Sequence, residues 1–437
     1  MLLLLHACVT PSFEASFAAS EALDTVGVVS WTSAEPAESW VEFGPDASYG
    51  FRTRSEATLT EAHEVVVAGL PAGTSWHWRA VSKLGDEEQV SADAVVETSG
   101  SPFDLPALTS TVTEAAPMGW VLGGILQSDQ AHVVMFDAAG RYAWWRAVEA
   151  DHTTGGARPS RDGTGVYYAS YHSDRTLDDS TLTYSSWDQT VIRTVQLEQG
   201  HHDFAELPEG IVAYVRKDER EVNGVPVVGD AIWELDLASG ESREVWNTWN
   251  FLGDPDPAAI DDTGFYVQGI DWTHVNTLDY VQARDAYLVS SRNLARVWLI
   301  DRSSGEVRWT LGEGQDFALG GGTWFEKQHS PELTESGILV FDNTQTGQWS
   351  RVVEYTLDES AMTAEQVWEY RGNGDSWALM MGDVHRFEDG STLANWGFGG
   401  SVTQLSPAGA ELWRVNLELG ATLTFADPVE RPGGPVP

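Results

Sequence analysis

The chain is short of lysine, cysteine and long apolar runs, and each shortage excludes a class of protein. Only Lys83, Lys217 and Lys327 are lysines, and 25 basic residues face 66 acidic ones, a formal net charge of −41 over 437 residues. Such a field repels nucleic acid and anionic membrane surfaces, so neither is expected as a partner. Cys8 is the single cysteine, which rules out an intrachain disulfide and a thiolate metal site. After the first residues no stretch of about 18 apolar residues occurs, so no segment has the length of a membrane-spanning helix. The opening MLLLLHAC looks like the tail of a bacterial lipoprotein signal, with Leu5, His6 and Ala7 before Cys8, although a positive leading region is missing. On that reading residues 1–11 are a signal remnant and anchor, Cys8 carries lipid, and the protein is an exported periplasmic or cell-surface lipoprotein. A truncated secretory signal or a chance cysteine is the alternative.

Histidine is sparse as well, and its distribution is informative. Of 11 histidines, four open successive segments of one kind: His202 in GHHDFAELPEG before IVAYVR, His274 in DWTHVNTLDYVQARD before AYLVSSRN, His329 in QHSPELTESG before ILVFDN, and His385 in DVHRFEDG before STLANW. In each, the histidine starts a strand, a Gly or Asp turn follows, and an apolar strand ends in polar residues: Arg216, Arg292 with Asn293, Asp342 with Asn343, and Asn395. An outer pattern runs in step: a strand, an Asp, a turn Gly, then a Trp. It reads Asp137, Gly140 and Trp144; Asp236, Gly240 and Trp246; Asp301, Gly305 and Trp309; looser copies end at Trp368 and Trp413. The interval of about 50 to 65 residues fits one four-stranded propeller blade with loops. With a weaker unit around VYYASYH and WDQTVIRTVQL, six blades are counted over residues 101–437. The tryptophans of the outer hairpins are read as packing between blades.

Residues 12–100 read differently. The runs FEASFAAS, TVGVVSWTS, SWVEFG, FRTRS, HEVVVAGLPAGTSWHWRAVSK and ADAVVETS are short and alternating, as in a β-sandwich of the fibronectin type III kind, with Trp76 where a Tyr is usual. His77 alternates with Trp76 and Trp78 and is assigned to solvent. SGSPFDLPALTSTVTEAAP is a linker or a first edge strand. The fold class is thus all-β: a fibronectin type III-like β-sandwich followed by a six-bladed β-propeller.

A propeller brings equivalent side chains to one axis, so the histidines are expected to build a polar site there. Residues two apart on a strand share a face, so His274 and Asn276 project together, with Arg292 at the far end of the paired strand. Arginine offers a rigid fork of donors for a tetrahedral oxyanion, and neutral imidazole is a nucleophile or proton carrier near pH 7. No cofactor is expected; a metal held by histidine with Asp203 or Asp271 is the lesser alternative, because a neighbouring arginine opposes it. The global charge repels an anionic substrate at long range, but screening beyond about 8 to 10 Å lets a local cluster of His and Arg prevail.

At these residues the chain resembles the bacterial arylsulfate sulfotransferases, which move a sulfuryl group from one phenolic ester to another phenol without a nucleotide donor. DWTHVNTLDY, SSRNLARVWLIDRSSGEVRWTLG, QHSPEL with ILVFDN, and GHHDF carry the likeness, over most of residues 115 to 418. The resemblance implies that His329 is the nucleophile that becomes sulfated. It implies that Arg292, Asn276 and one or both of His202 and His274 hold the sulfuryl oxygens, that one of the two histidines carries the proton, and that the kinetics are ping-pong. The partners would be an aryl sulfate donor and a phenolic acceptor, and a homodimer is left open. Asn293 stands where the family is expected to have His, the segment from Arg292 to His329 looks shorter than in enterobacterial members, and their cysteines are absent. A non-catalytic binding propeller and an arylsulfatase-like hydrolase remain as alternatives. His385 is read as a hydrogen-bonded side chain near the pore, and His201 as facing away from His202. His63, His132, His152 and His172 are assigned to surface or loops. Residues 372–383 and 249–262 are expected at the rim.

Overall fold

The computed structural model describes residues 12–429, apart from 56–57, 102–103, 114–118, 128–129, 175, 262–263, 345–348 and 373–376. Cys8 and the signal-like opening lie outside the described residues.

Six four-stranded antiparallel units surround an axis, as the repeats predict. Their inner strands are Ala421–Val429, His152–Pro159, Gly200–Glu206, Val275–Val281, His329–Leu333 and Asp383–Arg386, and successive inner strands touch round a closed ring. The weak unit is a full blade, with Gly165–His172, Thr181–Ser186 and Ile192–Gln196 outside His152–Pro159. Without a disulfide, the ring is closed by strand exchange. Ala421–Val429 enters the first blade as its inner strand, pairing Val429 with Trp120 and Ala421 with Gln127. Leu108–Val112 adds an outer strand to the last blade, pairing Leu108 with Leu417. The segment read as linker or edge strand is therefore an edge strand over these residues.

The outer motif has a local cause. Asp137, Asp236 and Asp301 each accept hydrogen bonds from backbone amides two to four residues on, which closes the hairpin turn. The turns end at Gly140, Gly240 and Gly305, whose φ values of 73°, 74° and 72° are the left-handed conformation that glycine adopts without a Cβ clash. The tryptophans pack as expected: Trp144, Trp246, Trp309 and Trp413 are buried, and Trp246 lies 5.1 Å from Trp298 of the next blade. Trp368 is only half-buried, under Arg386.

The N-terminal module is a sandwich of three strands on five, one long strand being shared by both sheets. Its second strand, Gly27–Gly44, is continuous where the sequence reads two. Its first half pairs with Ala15–Ala19 and Thr60–Val67, and after a register shift between Thr32 and Ala37 its second half pairs with Ser75–Leu84 and Phe51–Arg52. The core joins the first blade through Phe51 on Trp120, 5.0 Å between rings, and the Trp120 indole donates to the carbonyl of Gly69. His77 is half-exposed beside Asp93, as expected.

Three other histidines are not where the sequence puts them. His63, His132 and His152 lie in strands and are buried. His63 stacks on Trp31 at 4.8 Å and meets Ser33 Oγ at 2.9 Å, while His132 and His152 pack inside blades near Asp104 and Asp179. His152 Nδ1 meets the carbonyl of Ala150 at 3.1 Å, and Asp104 and Asp179 stand 3.7 and 3.6 Å from the Nε2 atoms of His132 and His152. His172 ends a strand and is half-buried.

Candidate active site

Along most inner strands the ladder breaks near the same end. Register shifts fall between Thr154 and Ala157, Gly200 and Phe204, Val275 and Thr277, His329 and Glu332, and Leu423 and Ala426. Bulges re-aim side chains, and here they carry non-glycine residues in left-handed backbone: His202 at φ 56°, His274 at 47° and Ser330 at 42°. Inner-strand amides donate to the neighbouring blade. Asp203 accepts from Leu278 N, Asp230 from Val275 N, Thr277 Oγ1 from Ser330 N, and Asp383 from Ala426 N. At three of the six blade junctions one blade thus holds the inner strand of the next, a rigid support for placing side chains on the axis.

A cavity of about 1000 Å³ runs along the axis, and His202, His274, Asn276, Arg292 and His329 all line it. The rings of His202 and His274 are 4.8 Å apart, each 4.8 Å from Phe265, and Tyr171 lies 6.1 Å from His202. The amide of Arg292 donates to the carbonyl of His274, so guanidinium and imidazole rise from facing strands.

His329 carries the most perturbed environment. Burial, then the positive charge of Arg292, push its imidazole down to about 3, so the ring is neutral at pH 7. Its Nδ1 lies 2.7 Å from Asn343 Oδ1. The amide nitrogen of Asn343 donates to the carbonyls of Ala378 and Met381, at 2.8 and 2.7 Å, which fixes the oxygen toward the histidine. Nδ1 must therefore bear the hydrogen, and Nε2 keeps its lone pair. The sequence required such a partner without identifying it; Asn343 was legible only as a strand end.

Arg292 forms no ion pair among the described residues; its one side-chain contact is with Asn293, 3.1 Å away. Burial pulls its pKa below the ordinary value, with Asp271 and Asp261 opposing. A half-buried guanidinium offers a planar fork of donors whose geometry matches a bidentate oxyanion. His274 Nδ1 lies 2.5 Å from Asp271 Oδ2, so this carboxylate orients a histidine. Asn276 lines the cavity, but its amide also holds the carbonyl of Gln328 at 2.8 Å, so it positions the backbone leading into His329.

Two expectations fail here. His201 does not face away from His202: the left-handed backbone at His202 breaks strand alternation, and the two Nδ1 atoms meet at 2.6 Å. His385 lines the same cavity, 3.1 Å from Glu332, and although burial lowers its pKa, Glu332, Asp427 and Asp383 outweigh this and raise it. That agrees with its reading as a hydrogen-bonded side chain near the pore. Of the expected rim, Met380, Met381, Gly382 and Asp383 line the cavity; residues 249–261 do not, Gly264 and Phe265 do, and residues 262 and 373–376 lie outside the described residues. Asp203, an alternative metal ligand, is instead paired with Arg158 at 2.8 Å. Among the described residues, no three His, Cys, Asp or Glu side chains are grouped to hold a metal ion.

The fold and site define a six-bladed propeller with three histidines and an arginine, His202, His274, His329 and Arg292, lining a cavity along its axis. Residues 112–418 match the family model Arylsulfotransferase (ASST), and the chain belongs to that family. It is similar to the Arylsulfate sulfotransferase AssT of Escherichia coli O6:H1 strain CFT073, 24% identical over 426 residues, covering 76% of this chain and 63% of that protein. The Arylsulfate sulfotransferase AssT of Lelliottia amnigena is 24% identical over 416 residues, covering 79% of this chain and 66% of that protein. The chain thus spans a little under two thirds of either relative. Among solved structures, a protein of unknown function from Bacteroides caccae matches with TM-score 0.43 and 12% identity, over 72% of this chain and all of that one.

Proposed function

We propose that the protein transfers a sulfuryl group from an aryl sulfate ester to a phenolic acceptor by a ping-pong mechanism through a sulfated His329. The observation that carries this reading is the clamp on His329: a neutral ring whose Nδ1–H is fixed by Asn343 and whose Nε2 is left as the nucleophile. In the first half-reaction Nε2 attacks sulfur as the ester O–S bond breaks, and the phenolate leaves with a proton from His202 or His274. Arg292 and the His274–Asp271 pair face the developing charge on the sulfuryl oxygens, where preorganised donors act most strongly. In the second half-reaction the acceptor phenol gives up its proton to the same histidine and attacks sulfur, and the N–S bond breaks. Phe265, Tyr171 and Met380 along the cavity offer apolar faces to a flat ring. The signal-like MLLLLHAC supports an exported location and a lipid on Cys8 as part of the same reading.

The test is incubation of the purified protein with a chromogenic aryl sulfate, with and without a phenol, followed by peptide mass spectrometry at neutral pH. Expected are acceptor-dependent turnover, an added SO3 group on the His329 peptide when the acceptor is withheld, and loss of both in His329→Ala. Turnover without acceptor would indicate a hydrolase, and no turnover a binding module. Full activity in His329→Ala would remove the nucleophile.

A further inference from the structure

We propose that His201 and Asp230 complete a proton relay behind His202, which makes His202 the residue that protonates the leaving phenolate and deprotonates the acceptor. This rests on the sulfuryl-transfer reading and settles which of its two histidines carries the proton. Three observations converge. His201 Nδ1 and His202 Nδ1 are 2.6 Å apart, so one hydrogen is shared between them. His201 Nε2 lies 3.0 Å from Asp230 Oδ1, off the line of an ideal hydrogen bond, and neither atom has another hydrogen-bond partner. Both side chains are buried, His201 at 8% exposure and Asp230 at 1%, while His202 lines the cavity.

The chemistry of the chain follows from its ends. Asp230 Oδ2 accepts from Thr273 Oγ1 and from Val275 N, which leaves Oδ1 to face His201. Facing that carboxylate, His201 Nε2 must bear a hydrogen. Neutral His201 then offers a bare Nδ1, His202 donates to it, and His202 Nε2 is a base toward the cavity. With one more proton the tautomers exchange: His201 becomes an imidazolium paired with Asp230, its Nδ1–H points at His202, and His202 Nε2–H becomes an acid. When the ester O–S bond breaks, the phenolate oxygen takes the proton from His202 Nε2 and the shared proton moves from His201 Nδ1 to His202 Nδ1. When the acceptor attacks, both transfers reverse. The proton acquired at the cavity thus deposits its charge beside Asp230, away from the anionic sulfuryl group. His274 is left for the sulfuryl oxygens, consistent with its place beside Arg292.

His201 acts through His202 and is a positioning residue, so the test must separate proton transfer from support. Wild type, His201→Gln and Asp230→Asn are compared on aryl sulfates whose phenols range from nitrophenol to unsubstituted phenol. General acid catalysis is worth about 10²- to 10⁴-fold when the leaving group is poor. The expected result is a loss of roughly tenfold with nitrophenyl sulfate and at least roughly hundredfold with phenyl sulfate, in both variants. An equal loss for every donor, or no loss, overturns the relay. A second readout needs no turnover: the shared proton should give a low-field imidazole resonance in wild type that disappears in His201→Gln at unchanged circular dichroism. Its absence from wild type also overturns the proposal. Wild type inactive on every donor would instead sink the sulfuryl-transfer reading, an outcome distinct from a uniform loss in the variants.

Discussion

Asn343 is the most informative position to perturb, because it acts on His329 through one hydrogen bond of known direction. Asn343→Leu keeps the volume and removes the acceptor. His329 then either keeps its hydrogen on Nδ1, buried without its side-chain acceptor, or moves it to Nε2 and blocks its own attack. The first choice costs about 1–3 kcal/mol for an unsatisfied buried donor. At 1.36 kcal/mol per decade, the rate of His329 sulfation falls about 5- to 150-fold. Asn343→Asp tests the sign. A carboxylate at that site still accepts from Nδ1 but favours the imidazolium, by about 4 kcal/mol for charges ~4 Å apart at an effective dielectric of 20. That is about 3 pKa units. Since wild-type His329 stands at about 3, the aspartate variant is expected near 6, by the same Coulomb estimate. Single-turnover release of phenol, followed by rapid quench from pH 5 to 8, measures both. Wild type should show no acid limb from His329 in this range, whereas Asn343→Asp should lose about tenfold between pH 7 and pH 5. A leucine variant within twofold of wild type, or an aspartate variant with an unaltered pH profile, would refute the clamp.

Three further outcomes are expected. Arg292→Ala should lower kcat/KM for the sulfate donor by about 10²- to 10³-fold, and Arg292→Lys should restore less than a tenth of that, because a point charge does not replace the planar fork; donor-saturation kinetics check both. In Gly382→Ala the new Cβ would lie 2.3 Å from the Phe341 ring at a φ of 129°. The adjoining Met381 carbonyl should leave Asn343, so sulfation should slow as in Asn343→Leu, with a stability loss of about 1–3 kcal/mol by urea denaturation. Native His329 has a pKa lowered from 6.5, so its stability contribution is fully present above about pH 6.5 and is lost as pH falls toward 3. Urea midpoints for His329→Gln should therefore gain on wild type by about 1–2 kcal/mol between pH 7.5 and pH 5, and a gap independent of pH would contradict the buried neutral ring.

How much of this was legible follows from one rule and its failure. Strand alternation with turn chemistry is local, and it located the six blades, the Asp and Gly turns and the tryptophan layers, because each is determined within a hairpin. The same rule put His201 opposite His202, and there it misled. A bulge with left-handed backbone at His202 turns consecutive rings to one side, and no residue in GHHDF marks it; the compensating acceptor, Asp230, stands 28 positions on, in the third strand of the same blade. Asn343 escaped for a related reason. Its amide is held by carbonyls of residues 378 and 381, in the connection to the next blade, so the orientation that makes it a clamp is a tertiary property.

The bulges also explain why the site tolerates a global charge of −41. At Val275, Leu278 and Ala426 an inner-strand amide donates to an aspartate of the preceding blade, so Asp230, Asp203 and Asp383 are engaged as acceptors by backbone. Asp203 is further neutralised by Arg158. Asp203, Asp230 and Asp383 near the axis are thereby engaged by backbone donors, and burial raises the pKa of Asp279, Asp383 and Asp427, which favours their neutral forms, so that Arg292 keeps its positive field at short range. Net charge governs the approach of an anion from solution, where salt screens it within about 8 to 10 Å. The local pairing of each carboxylate governs what the anion meets on arrival. Disrupting one of these acceptors, as in Asp203→Asn, should therefore weaken donor binding through loosened backbone and an unpaired Arg158, although the substitution makes the protein less negative. A simple charge argument gives the opposite sign, and the KM for an aryl sulfate at two salt concentrations distinguishes them.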